Sequence, residues 1–214
     1  MRHLNKKKIK IGIIDLNLNN IQSLINAISK IGYKITIIKN KNKNKIKNFD
    51  IIFLPGIGSF KQGMTRLKKM GLINQIKIFI NDRKKKLFGI CLGMQLLFEK
   101  STEFNLCKGL GILEGNVVKL RKQKGQKIPN IGWSKVICYN SENVFSKIEK
   151  NEYFYFVHSY VCKPKKKNII SLKTKFGSYH FASSIKYKNI WATQFHPEKS
   201  SKQGLKLIKR FIEC

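Results

Sequence analysis

In Gly89-Ile90-Cys91-Leu92-Gly93 a cysteine stands between two glycines, after the apolar run 87–90 and before Met94-Gln95-Leu96-Leu97-Phe98-Glu99. A strand, a sharp turn and a helix in that order make a nucleophile elbow, which holds one side chain out over the carboxyl edge of a sheet. Glycines permit the cramped backbone that such a turn needs. A helix starting at Leu92 aims unpaired N–H groups at the sulfur and favours its thiolate form. The Leu92 N–H is also placed to serve an oxyanion. A buried structural cysteine between two packing glycines remains open on these five residues alone.

A thiol nucleophile needs a base, and the base needs an orienting group. Of the four histidines, His3 lies in a charged tail, His180 in a strand-like run and His158 within Phe156-Val157-His158-Ser159-Tyr160. His196 differs, because it follows the apolar run 190–193 and opens His196-Pro197-Glu198. The proline forces a turn, and Glu198 two residues on can fold back to fix the imidazole tautomer and stabilise its charged form. His-Pro-Glu alone is also a plain turn. Cys followed by His-x-Glu, each at a strand end, is a much more specific constellation.

The elements that must position these groups have an α/β rhythm. Residues 8–15, 33–38, 50–54 and 87–90 read as buried strands, with helices over 20–31, over 65–80 and from Leu92 onward. Nearly unbroken apolar strands alternating with helices predict a mostly parallel sheet covered on both faces. From about Gly109 the texture changes to strands joined by turns, at 117–120, 134–138, 153–160, 169–176, 179–186 and 190–195. These predict an antiparallel extension, closed by a helix over 203–212. Residues 39–48 are a low-complexity loop, and no linker divides the chain. The expectation is one α/β domain over residues 9–214, preceded by a basic tail at 1–8.

Composition sets outer bounds. The chain has 214 residues, is 42% hydrophobic and carries a formal charge of +33. That charge ordinarily suggests a polyanionic partner. Here 39 of the 44 basic residues are lysine, whereas specific phosphate or base recognition favours the planar fork of arginine. Lys, Asn and Ile together supply 89 residues, the bias that AT-rich codons produce. Salt-sensitive, nonspecific attraction to polyanions is expected, without specific nucleic-acid binding. No apolar run approaches the ~18 residues of a membrane span, and residues 9–14 are too short for a signal-peptide core. Cys91, Cys107, Cys138, Cys162 and Cys214 show neither CxxC nor zinc-type spacing, and there is no Walker loop. A reduced, cytoplasmic protein without metal or cofactor fits best.

With the elbow, Gln95 and His196-Pro197-Glu198 in place, the chain resembles the triad, or class I, glutamine amidotransferases. Pro55-Gly56-Ile57-Gly58-Ser59-Phe60, Gly109-Leu110-Gly111, Ile128-Pro129-Asn130-Ile131-Gly132-Trp133, Tyr155-Phe156-Val157-His158-Ser159-Tyr160 and Thr193-Gln194-Phe195-His196-Pro197-Glu198-Lys199-Ser200 narrow the likeness. Together they resemble the glutaminase subunits of imidazole glycerol phosphate synthase, in order and register over nearly the whole chain.

The resemblance implies that Cys91 attacks the glutamine carboxamide, that His196 carries the proton, and that Glu198 orients His196. It implies oxyanion donors at the backbone of Leu92 and of the Ile57-Gly58 loop, where a peptide flip conditional on the partner is sterically cheap beside glycine. It places Gly56, Gln95, Glu103, His158, Ser159 and Tyr160 around the substrate, with Glu103 suited to the α-ammonium group and 158–160 closing over the α-carboxylate. Asn20 and Lys199 fall at the interface with a (β/α)8-barrel cyclase, with which the chain forms a heterodimer. One departure stands out. The family's usual Asp-Tyr-Gly-x-Gly-Asn-x-x-Ser is here Asp15-Leu16-Asn17-Leu18-Asn19-Asn20-Ile21-Gln22-Ser23. Asn17 and Asn19 replace glycines, and asparagine is the best non-glycine occupant of left-handed backbone. Three other readings compete: a glutaminase of another pathway, a basic binding protein that has lost catalysis, and a different cysteine-elbow enzyme.

Overall fold

The computed structural model describes residues 9–18, 21–39, 46–139 and 152–214. The first half alternates as expected: β1 (Ile11–Ile14), α1 (Gln22–Lys30), β2 (Ile35–Ile38), β3 (Ile51–Gly56), α2 (Phe60–Lys69), α3 (Ile73–Asn81), β4 (Lys86–Cys91) and α4 (Leu92–Leu96). The second half supplies β5 (Phe98–Ser101), β6 (Cys107–Lys108), β7 (Leu113–Lys119), β8 (Asn130–Cys138), β9 (Tyr153–His158) and β10 (Tyr160–Pro164). It ends with β11 (Ile170–Phe176), β12 (Tyr179–Tyr187), β13 (Ile190–Thr193) and α5 (Ser201–Glu213).

Among the described residues nine strands form one sheet, in the order β2-β1-β3-β4-β13-β12-β11-β8-β9. β2 through β13 run parallel, and β12, β11, β8 and β9 continue antiparallel. The central strands β1, β3, β4 and β13 are buried along nearly their whole length because both faces are covered, whereas β8 and β9 at one edge alternate between buried or half-buried and exposed residues. Ile51 and Phe53 of β3 point into one core and Ile52 and Leu54 into the other, as the two-residue strand period requires. On the first face α5 presses Phe211 onto Phe53, Phe88 and Trp191, with ring centroids 5.5, 4.7 and 5.1 Å apart. Half-buried Lys86 donates to the carbonyls of Phe211, Ile212 and Cys214, closing the end of α5 onto the start of β4. No helix among the described residues is long and apolar enough to cross a membrane.

Three expectations change. The helix predicted over 65–80 is two helices. Gly71 takes φ 64°, and the Leu72 N–H reaches back to the Leu67 carbonyl, the glycine-terminated helix end that stops α2. The helix after the elbow ends at Leu96, and its supposed continuation, Phe98 and Glu99, begins β5. A second sheet, β10-β7-β5-β6, stands apart from the single sheet expected. The chain passes between the two sheets at Ser159, the single residue separating β9 from β10. That crossing brings 158–160 to the carboxyl edge of the parallel strands.

Candidate active site

β4 runs straight into α4 at Cys91, which adopts φ 52° and ψ −107°. Such a backbone costs a residue with a Cβ on the order of 1–3 kcal/mol and persists only where its surroundings enforce it. The enforcement is visible in the flanking glycines. A Cβ on Gly93 would lie 1.7 Å from the Leu54 carbonyl oxygen, and one on Gly89 would lie 2.9 Å from the Gly93 carbonyl oxygen. The helix therefore crosses directly over β3 and β4, and Cys91 is thrown outward.

Cys91 forms part of the wall of a cavity of about 220 Å³, shared with Ile57, Gly58, Leu92, Gln95, Glu103, Pro129, Val157, His158, Ser159 and Tyr160. That is below the ~300–1,000 Å³ typical of sites for drug-sized ligands and suits a single amino acid. Five segments of the chain meet here, at 57–58, 91–95, 103, 129 and 157–160. The 57–58 loop is held from its far side by a capping box, in which Ser59 Oγ accepts from the Gln62 N–H and Gln62 Oε1 accepts from the Ser59 N–H, both at 3.3 Å. Glu103 Oε2 accepts from the Phe60 N–H at 2.6 Å, so this carboxylate also secures the start of α2 beside the same loop.

His196 and Glu198 lie behind the cysteine rather than on the cavity wall. His196 is 1% exposed, and its Nδ1 is 2.8 Å from Glu198 Oε1. Its backbone is fixed on both sides: the His196 N–H donates to the Tyr155 carbonyl, and its own carbonyl accepts from Ser200 Oγ. Pro197–Lys199 is a short 3-10 turn, which explains how Glu198 folds back on the ring. The other ring nitrogen, Nε2, is buried and finds no hydrogen bond among the described residues. Burial opposes a charged ring. The Cys91 sulfur and then the Glu198 carboxylate outweigh it and push the pKa of His196 up to about 10. The site thus favours a charged His196 ring.

His158 has the opposite character. Asn130 Nδ2 donates to its Nε2 at 3.2 Å, and its Nδ1–H donates to the Tyr160 carbonyl at 3.0 Å. One nitrogen accepts and the other donates, so the ring is neutral. Burial above all, with His196 nearby, lowers its pKa to about 3 against the weaker pull of the Tyr160 carbonyl.

The structure therefore gathers Cys91, Leu92, Ile57, Gly58, Gln95, Glu103, His158, Ser159 and Tyr160 around one cavity, with His196 and Glu198 supporting the cysteine. Gly56 does not line it. Gly56 is a spacer, because a Cβ there would approach the Leu92 side chain to 3.1 Å. Lys199 is exposed beyond the His-Pro-Glu turn and away from the cavity. Asn20 lies outside the described residues. Two further residues join the site without a sequence signal for their roles: Gln194, whose Nε2 lies 3.6 Å from Cys91 Sγ, and Asn130, which orients His158. Both stand inside recognised motifs, but their side-chain partners are distant in sequence and carry no local signal. Among the described residues no group of three His, Cys, Asp or Glu side chains is placed to hold a metal.

The class-I glutamine amidotransferase family matches residues 12–214. Imidazole glycerol phosphate synthase subunit HisH 1 of Campylobacter jejuni strain RM1221 is 41% identical over 202 residues, spanning 94% of this chain and 98% of that protein. The HisH subunit of Aquifex aeolicus is 39% identical, over 93% of this chain and 94% of its own length. Among solved structures, PurLQS from Thermotoga maritima superposes with a TM-score of 0.71 at 18% identity, covering 97% of this chain and 99% of that one. A crystal structure of a glutamine amidotransferase gives a TM-score of 0.73 at 15% identity, covering 95% and 97%. The structural matches establish the shared fold, and the sequence matches place the chain more finely. The chain belongs to the class-I glutamine amidotransferase family, within its group of HisH subunits of imidazole glycerol phosphate synthase.

Proposed function

We propose that this chain hydrolyses L-glutamine to glutamate and ammonia, and passes the ammonia to a (β/α)8-barrel cyclase in a heterodimer. The cyclase makes imidazole glycerol phosphate and an aminoimidazole carboxamide ribotide in histidine biosynthesis. The observation that carries this reading is the buried His196–Glu198 pair at 2.8 Å behind a cysteine strained at an elbow. Cys91 sulfur attacks the carboxamide carbon. The carbonyl π pair moves to oxygen, and the resulting oxyanion is met by the N–H groups of Leu92 and the Ile57-Gly58 loop. His196 holds the thiol proton and delivers it to the departing ammonia, leaving a glutamyl thioester. His196 then takes a proton from water, which attacks the thioester, and glutamate leaves as the sulfur is regenerated. Loss of one oxyanion donor in such a site typically costs about 10²–10³ in rate.

Glu103, with one oxygen on α2 and the cavity before it, suits the α-ammonium group of the substrate. The 158–160 segment and Gln95 enclose the rest. Lys199 and Asn20 belong to the docking face, and the reaction takes place in the cytoplasm. No step in it calls for a metal or a cofactor. Glutamate release by the purified chain, with and without the cyclase and its ribotide ligand, tests the reading. The expected result is a low rate alone and a large rise in the liganded complex. No release in either state from a folded chain overturns it.

A further inference from the structure

Gln194 is completely buried between β13 and His196, and its side chain joins the nucleophile to the wall of the cavity. Its Nε2 stands 3.6 Å from Cys91 Sγ. Its Oε1 is 3.2 Å from Gln95 Nε2, and that same Gln95 nitrogen is 3.0 Å from the Tyr160 carbonyl oxygen. The polarity of the chain is fixed from its far end. A backbone carbonyl only accepts, so Gln95 must turn its NH₂ group toward Tyr160. Both N–H bonds of that group are then spent, one on Tyr160 and one on the oxygen of Gln194. Gln194 is left to present its own NH₂ to sulfur. Reversing either amide sets like against like among buried groups, where unpaired polar atoms are costly. The Gln194 main chain is pinned as well, its N–H donating to the Ser183 carbonyl of β12 at 2.9 Å.

Resting on the glutaminase reading, we infer that Gln194 is a further catalytic residue, a neutral donor to the nucleophilic sulfur whose other end locks the Gln95 amide with its oxygen toward the substrate. A hydrogen bond to an ionised acceptor is stronger than one to a neutral acceptor, so the Gln194 amide favours thiolate over thiol. Being neutral, it does so without competing with His196 for the role of cation. Locking Gln95 defines what the cavity wall offers. With its nitrogen committed, Gln95 shows an acceptor to the substrate and selects a donor there, such as an ammonium or carboxamide N–H.

The two halves of the role separate in two variants. Gln194→Met removes donor and acceptor at similar size. Gln194→Glu keeps the oxygen for Gln95 but sets a carboxylate beside sulfur. The probe is iodoacetamide on the intact chain, with the Cys91 peptide followed by mass spectrometry across pH, since Cys138 and Cys214 are exposed and also react. Steady-state glutaminase kinetics are taken in the complex with the cyclase. In Gln194→Met the midpoint of Cys91 alkylation is expected to rise by about one pH unit, with kcat down roughly 10–100-fold and KM raised, the range for losing a hydrogen bond to a charged group. In Gln194→Glu the midpoint rises further and kcat falls, while KM stays within a few-fold of wild type. An alkylation profile and kcat in folded Gln194→Met matching wild type would overturn the inference. If that variant does not fold, an unchanged profile in Gln194→Glu overturns it equally. A wild-type complex that releases no glutamate instead defeats the glutaminase reading, and the alkylation profiles still decide whether Gln194 and Cys91 are coupled.

Discussion

Gly204 of α5 and Pro197 of the His-Pro-Glu turn are in backbone contact, so close that a Cβ on Gly204 would sit 1.8 Å from the Pro197 carbonyl oxygen. The contact is part of a clamp. The Gly204 N–H donates to the Ser200 carbonyl, and Ser200 Oγ links the His196 carbonyl to the Tyr155 N–H. The first turn of α5 thereby sets the height at which His196 and Glu198 sit behind Cys91. Gly204→Ala must push the helix and the turn apart. It is expected to cost about 1–3 kcal/mol, the range for overpacking a filled core, and to reduce glutamine hydrolysis at least tenfold, since small displacements of catalytic groups cost this much. Thermal unfolding and glutamate release in the complex measure both. An alanine variant with wild-type melting and rate would show that the turn is not held from α5.

The strain at Cys91 has a thermodynamic signature separate from its chemistry. Cys91→Ala and Cys91→Gly both lose the sulfur, so both are expected to abolish glutamine hydrolysis while still binding the cyclase. Only the glycine variant is relieved of a Cβ at φ 52°. Cys91→Gly should therefore be the more stable of the two by about 1 kcal/mol, the low end of the cost of such a backbone. Equal stabilities in denaturant titrations would mean that the elbow stores no strain.

Much of this site could be read in the sequence, and what could not has a physical cause. Gly89, Cys91, Gly93, His196 and Glu198 announce themselves because local backbone chemistry dictates their type: crossing elements exclude a Cβ at the two glycines, and a proline-forced turn brings Glu198 to His196. The buried strands were visible for a similar reason, since a run covered on both faces must be apolar. The four-stranded sheet escaped because β6 is two residues long and β5 begins where an apolar helix pattern continues through Leu97 and Phe98. A short apolar run does not distinguish strand from helix by period. Gln194 escaped because its partners, Cys91 and Gln95, lie 103 and 99 residues away.

His158 and His196 bend the stability of the protein in opposite directions with pH. His158 has a folded pKa of about 3, below its ordinary 6.5, so the unfolded chain binds its proton more readily between those values. Stability from this group is present above 6.5 and drains away as pH falls toward 3, by up to about 4–5 kcal/mol at 1.36 kcal/mol per pKa unit. For His196 the folded pKa is raised, so its contribution is present below 6.5 and is lost as pH climbs through about 10. His158→Gln is expected to flatten the acid limb of unfolding free energy against pH and leave the alkaline limb in place. An acid limb unchanged in that variant would place the loss elsewhere.

Asn17 makes the final case. It takes φ 53°, and its N–H donates to Asp15 Oδ1 at 2.9 Å, an Asx turn that keeps left-handed backbone without glycine. The turn follows β1 near the proposed docking face, so its shape bears on affinity for the cyclase. Asn17→Gly permits the same φ and is expected to leave the dissociation constant of the complex within about twofold. Asn17→Val introduces a β-branched residue for which this φ is a true outlier, and it should weaken the complex by about tenfold while glutaminase turnover in the saturated complex stays near wild type. Calorimetric titration of each variant with the cyclase makes the comparison. Valine binding as tightly as glycine would mean that the turn either survives without its left-handed residue or does not touch the partner.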